Sequence, residues 1–168
     1  MFKALQSLFS YDAVVELAEH RITLRKFETH EVLEYEPLLA IATERGQQVI
    51  KVVGAQARSF TGEQVEIVNP FAHPRVLVAN FQLAEKLLLW GVKELSKSRI
   101  RPAPRLIMHP LEKLEGGLTD IELRVFRELA LGCGARAIKI HVGERINTRA
   151  QTYETVQDLL EQDNDKKN

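Results

Sequence analysis

Carboxylates and imidazoles are the groups in this 168-residue sequence with the chemistry for catalysis or metal binding. Asp12 and Glu16 stand four apart on one early strand segment, so they share a strand face. That is the beginning of a clustered-carboxylate site of the kind that holds two magnesium ions for nuclease chemistry. A third acid has to come from a later strand end, and Asp120 and Glu144 are only loose matches. His109 and His141 both fall at the ends of predicted parallel strands, the edge where ligands gather in open α/β sheets. A metal would need a further spaced ligand, and His20, His30 and His73 are scattered without i,i+4 pairing on a helix. A packed or solvent-facing strand histidine is the simpler reading of each. Gly116-Gly117 lacks the lysine and Ser/Thr of a P-loop and reads as a flexible link. Cys133, between two glycines with no base nearby, reads as a small buried filler rather than a nucleophile.

The elements that would position these groups follow from the apolar pattern. Ala13–Leu17 and Ile22–Phe27 predict two strands around a turn at His20-Arg21, and Leu38–Thr43 with Val49–Val53 a second hairpin across Glu44–Gln47. A short helix is expected over Gly54–Phe60 and an extended piece over Val65–Val68, with the stretch Ala55–Pro74 protruding as a small excursion. Asn80–Lys97 carries a broad apolar stripe through Leu83, Leu87, Leu88, Trp90 and Val92, which predicts a helix. Arg101–Arg105, with two prolines, ends it and leads into a strand at Leu106–Met108. Thr119 with Glu122 three residues later is a capping box, and the helix behind it is expected to bury Ile121, Val125, Leu129 and Leu131. Ala137–Val142 predicts a last strand, Gln151–Gln162 a surface helix, and Asp163–Asn168 a polar tail. Strands first and strand–helix alternation later imply parallel crossovers and a helix-covered sheet.

Composition narrows the function classes. Apolar residues make up 45% and charged residues 27%, with 23 basic against 23 acidic side chains, so no global field recruits nucleic acid or an anionic membrane. One cysteine excludes an internal disulfide and a cysteine-based zinc cage. Met1–Ser10 lacks the long apolar core and cleavage site of a signal peptide, and no window reaches membrane-spanning length, so a cytoplasmic chain is expected.

A colinear series of matches then resembles the bacterial rod-shape actins, the MreB family. It comprises Phe9-Ser10 with Asp12, Glu36-Pro37 with Ala40-Ile41, Val53-Gly54 with Ala57, and Phe81 with Glu85-Lys86-Leu87. Arg101-Pro102, Pro104-Arg105 and Gly132–Arg136 continue it, so that order and spacing agree over residues 9–142. The resemblance implies an actin-like, ribonuclease-H-like α/β fold: a mixed central sheet flanked by helices, here one half-domain over residues 11–146. A 1–10 amphipathic segment would precede it and a 147–168 C-terminal helix and polar tail would follow.

The resemblance also implies ATP bound between two lobes, with a first phosphate loop of pattern D-L-G-T-A-N-T. Here that stretch reads Glu16-Leu17-Ala18-Glu19-His20-Arg21-Ile22. Ala18 adds a Cβ where glycine would let phosphate approach, and Glu19 adds a carboxylate where phosphate charge would lie. At about 4 Å two like charges repel by about 1 kcal/mol in water and several times more when partly desolvated. His20 or Arg21 can offset part of this. The acidic position that orients the hydrolytic water in the family reads His141 here, and the family's second lobe has no counterpart in the sequence. The expectation is therefore a non-catalytic, cofactor-free, MreB-like interaction module for cell shape. Its partner would be full-length MreB or another morphogenesis protein, and homodimerisation is the default expectation for self-association. The alternatives are a nucleotide-binding protein or ATPase completed by oligomerisation, and a peripheral membrane adaptor. In the last, Phe2, Leu5, Leu8 and Phe9 would touch the inner membrane or a partner, although Lys3 alone supplies positive charge.

Overall fold

The computed structural model describes residues 10–97 and 103–160. The segment carrying Phe2, Leu5, Leu8 and Phe9 lies outside them, as do Arg101-Pro102 and the tail. An apolar run in β1 (Asp12–Ala18) turns through Glu19-His20 into β2 (Arg21–Lys26), which pairs with β3 (Val32–Tyr35). β7 (Arg105–Pro110) lies parallel to β1 and β8 (Ala137–Ile140) parallel to β7, giving the order β3-β2-β1-β7-β8. The order is mixed because hairpins build one half and helical crossovers the other. β4 (Leu39–Glu44), β5 (Gln47–Val53) and β6 (Val65–Val68) form a separate antiparallel sheet, β5-β4-β6. A short 3-10 helix, Ala55–Ser59, follows β5. The excursion expected at Ala55–Pro74 is thus only part of a three-stranded unit.

Helix α1 (Phe81–Ser96) starts at Asn80, whose side chain accepts from the Leu83 N–H, and stops at Lys97, which takes a left-handed conformation. Helix α2 (Asp120–Gly132) begins with the expected Thr119–Glu122 capping box. Its buried face differs from the expected one. Phe126, Leu129 and Ala130 meet the core, while Ile121 is 76% exposed and Leu131 44% exposed. Phe126, Ala130 and Cys133 sit three to four residues apart on the stripe that meets α1 and the sheet, and Ile121 falls on the other side.

Both helices cover one sheet face, with Val15, Leu17, Ile22, Leu24, Leu106 and Met108 beneath them. The opposite face is covered by the chain after β8. Ile146, Tyr153 and Val156 pack on Val14, Phe27 and Ile107. This stretch was expected as a Gln151–Gln162 helix, yet residues 153–156 form turns and helical structure begins only at Leu159. The predicted strand at Ala137–Val142 likewise ends at Ile140. Tyr153 and Val156 are buried and Asp158 accepts from the Ile140 N–H at 3.0 Å, so tertiary contacts override the helical pattern.

Candidate functional site

The β1–β2 turn and the ends of β7 and β8 meet at one edge of the sheet. Ala18 ends β1 and is buried. In the turn itself, the Glu19 N–H donates to a Glu112 carboxylate oxygen at 2.8 Å, and the Glu19 carbonyl accepts from Asn69 Nδ2 at 2.7 Å. The Glu19 carboxylate pairs with Lys113 Nζ at 2.8 Å. Lys113 also donates to the His73 carbonyl, which ties the turn to the loop before α1. Lys113, with a smaller effect from His20, holds the Glu19 carboxyl below its ordinary range. His20 stands 3.8 Å from Glu19, with its side chain 83% exposed. Arg21 begins β2 as an exposed residue. The offset anticipated from His20 or Arg21 is therefore supplied chiefly by Lys113.

Glu112 and Lys113 are the functional residues that sequence reasoning missed. They lie just past the predicted strand end at His109-Pro110, where loop side chains can reach the β1–β2 turn. The carboxylate now occupies a backbone donor of the kind that binds anions at such turns.

Glu16, one pleat back, is 3% exposed and lies between two guanidiniums. Arg145 donates to both of its oxygens, at 2.9 and 3.1 Å, and Arg25 donates to Oε1. Burial pushes the Glu16 carboxyl up, but the Arg145 and Arg25 hydrogen bonds and charges outweigh it and leave it below the ordinary range. Asp12, at the other end of β1, is held by Arg105. The two candidate magnesium carboxylates are thus each saturated by arginine.

The structure does bring His109 and His141 together, as an edge-to-face pair with ring centroids 4.8 Å apart. His109 Nε2 bonds the Gly143 carbonyl at 3.2 Å and His141 Nε2 the Glu144 carbonyl at 2.9 Å. Burial, then the neighbouring His141, push the His109 imidazole below its ordinary pKa. Among the described residues no group of three or more His, Cys, Asp or Glu is arranged to hold a metal. Cys133 is 1% exposed and its thiol is pushed up to about 12 by burial and then Glu85, which suits a core filler. Gly116 and Gly117 both take positive φ in open space within a turn. No helix among the described residues is long and apolar enough to cross a membrane.

No protein-family model matches the chain. Curated relatives do: the cell shape-determining protein MreB of Pasteurella multocida is 28% identical over 144 residues, 82% of this chain and 39% of the relative. MreB of Haemophilus influenzae is 27% identical over the same share, and that of Escherichia coli 28% identical over 145 residues. The chain therefore spans about two fifths of the length of these relatives. Among solved structures, MreB5 of Spiroplasma citri bound to ADP superposes with a TM-score of 0.58 at 16% identity, covering 80% of this chain and 39% of that one. The same protein bound to AMPPNP gives 0.53. In fold and in sequence, the chain is MreB-like and corresponds to the N-terminal part of such a protein, with an actin-like α/β architecture.

Proposed function

We propose that this chain is a non-catalytic, MreB-like module that works in cell-shape assemblies through protein contacts rather than ATP hydrolysis. One observation carries the reading. The turn that would face a phosphate has its Glu19 N–H bound by the Glu112 carboxylate, and the Glu19 carboxylate stands beside it. A phosphate arriving there must displace Glu112 and sit between two acids. Each like-charge contact at about 4 Å costs about 1 kcal/mol in water and several times that in a closed site. Lys113 is already engaged by Glu19 and two backbone carbonyls, so it is not a free cation for the ligand.

The test is a titration with a fluorescent ATP analogue and magnesium up to millimolar nucleotide. The expected result is no saturable signal. Saturable binding that disappears when Ala18–Arg21 are altered would overturn the proposal and favour a nucleotide site completed by oligomerisation. For the partner, the expected result is co-sedimentation with assembled full-length MreB. A chain left wholly in the supernatant beside MreB filaments would remove that partner.

A further inference from the structure

We propose that the free edge of β3 is a docking strand for an extended peptide segment that alternates apolar and basic residues. Among the described residues β3 ends the five-stranded sheet, and the hairpin fixes which of its backbone groups point away from it. The two-residue turn makes Ala18 and Arg21 the closing hydrogen-bonded pair, so Thr23 and Arg25 also bond back to β1. Ile22, Leu24 and Lys26 then bond to β3, as the Lys26 N–H to Glu31 carbonyl contact of 3.1 Å shows. Leu33 and Tyr35 consequently face β2, whereas Val32 and Glu34 turn their N–H and C=O groups outward.

The side chains along this edge specify the occupant. On the helix side a cavity of about 510 Å³ opens against β3, with Leu33, Val53 and Trp90 as an apolar wall and polar groups, Arg21, Glu34 and Glu36 among them, along the rest of its lining. Trp90 is braced edge-to-face on Tyr35 at 5.0 Å. On the opposite side Val32 is 57% exposed and Glu34 is exposed. Glu31 is paired with Lys26 and Lys97, and Glu36 with Arg58. Among the described residues Glu34 accepts only the Thr23 hydroxyl, at 3.3 Å, within electrostatic reach of Arg145. An added strand alternates its side chains between the two sides. One set would meet the Leu33, Val53 and Trp90 wall and is best apolar. The other would meet Glu34 and is best basic. Main-chain bonds supply affinity and the alternating pockets supply selectivity. A second copy is the poorer occupant, because twofold pairing of β3 with itself sets Glu34 near its own image, and like charges across a strand pair are destabilising.

This inference goes beyond the nucleotide question, since a chain that bound ATP would present the same edge. The experiment uses the full chain and a capped eight-residue peptide alternating valine and lysine, with a scrambled peptide and one bearing central prolines as controls. Trp90 is the sole tryptophan, so its fluorescence reports the cavity directly. Binding should shift that emission saturably and slow amide exchange at Val32 and Glu34. Neither control should do so. Glu34→Lys should weaken the peptide by roughly fivefold, as expected when a surface ion pair becomes a repulsion. Glu34→Gln gives a milder loss should the lysine variant fold poorly. Equal binding of the scrambled peptide, or binding indifferent to both Glu34 variants, would sink the proposal. Edge amides already protected without peptide would sink it too. Protection that grows with protein concentration would indicate a second copy, and concentration-independent protection a segment of the chain itself.

Discussion

Glu16 is a buried acid whose partners give it a structural role. Arg25 and Arg145 consume its oxygens, and Arg25 also donates to the Ile146 carbonyl at 2.9 Å. The cluster therefore fastens the chain after β8 to the hairpin. Glu16→Ala leaves the Arg25 guanidinium, 11% exposed, without its counter-charge. Truncating one partner of a buried pair costs about 3–5 kcal/mol, and the upper part of that range is expected only if Arg25 cannot reach water. Equilibrium urea unfolding measures it. The pH dependence has a definite sign. The folded carboxyl lies below its ordinary range, so its stabilisation is present above the unfolded pKa of about 4.3 and is lost as pH falls through the folded value. Wild type should lose stability between pH 5 and pH 3, on the order of the carboxylate range, with a steeper slope than Glu16→Gln. Identical slopes would mean the arginines do not favour the ionised acid. The substitutions at Ala18 and Glu19 were legible in sequence because they alter a known pattern. The Glu112 contact was not, since it joins residues 93 apart and depends on how β7 registers against β1.

At the scale of elements, the strands and helices with strong periodicity or caps were readable, including α1 with its Asn80 cap and α2 with its capping box. β3 was not, because Val32–Tyr35 alternates a glutamate with apolar residues over only four positions and gains its order from pairing with β2. Its placement under α1 rests on Gly91. A Cβ added there would overlap the Tyr35 hydroxyl, which itself donates to the Leu87 carbonyl at 3.4 Å. Glycine inside a helix normally costs up to about 1 kcal/mol relative to alanine. Gly91→Ala should nevertheless destabilise the protein by about 1–3 kcal/mol, the usual range for overpacking. It should also change the near-ultraviolet signal of the Tyr35–Trp90 pair. A stabilised Gly91→Ala variant would show that the helix can move off β3 freely. Paired with Tyr35→Phe, which removes the obstructing oxygen, the loss should shrink.

At the scale of the whole molecule, a sheet with two apolar faces needs two covers, and α1 and α2 provide only one. The other is an irregular strap rather than the expected helix. Its central residue is Tyr153, 6% exposed, whose ring packs with Val14, Ile107 and Val156. Arg105 lies over that ring at 4.5 Å and Lys139 at 5.0 Å. Arg105 also bridges Asp12 and Glu154, and Lys139 donates to the Glu154 and Val156 carbonyls. The strap is thus held by two cations that start on β7 and β8. Sequence could not reveal this, because its apolar residues follow the shape of the sheet rather than a helical period. If the strap is what closes the second face, Tyr153→Ala should cost about 3–5 kcal/mol, the range for truncating a large buried aromatic. Amide protection should fall first in β8, whose Ile140 N–H depends on Asp158 in the same strap. Lys139→Met keeps the aliphatic stem but removes the charge and should cost less than the tyrosine truncation, as cation–π contacts contribute about 0.5–2 kcal/mol. A Tyr153→Ala loss below about 1 kcal/mol, with β8 still protected, would place the closure of that face elsewhere.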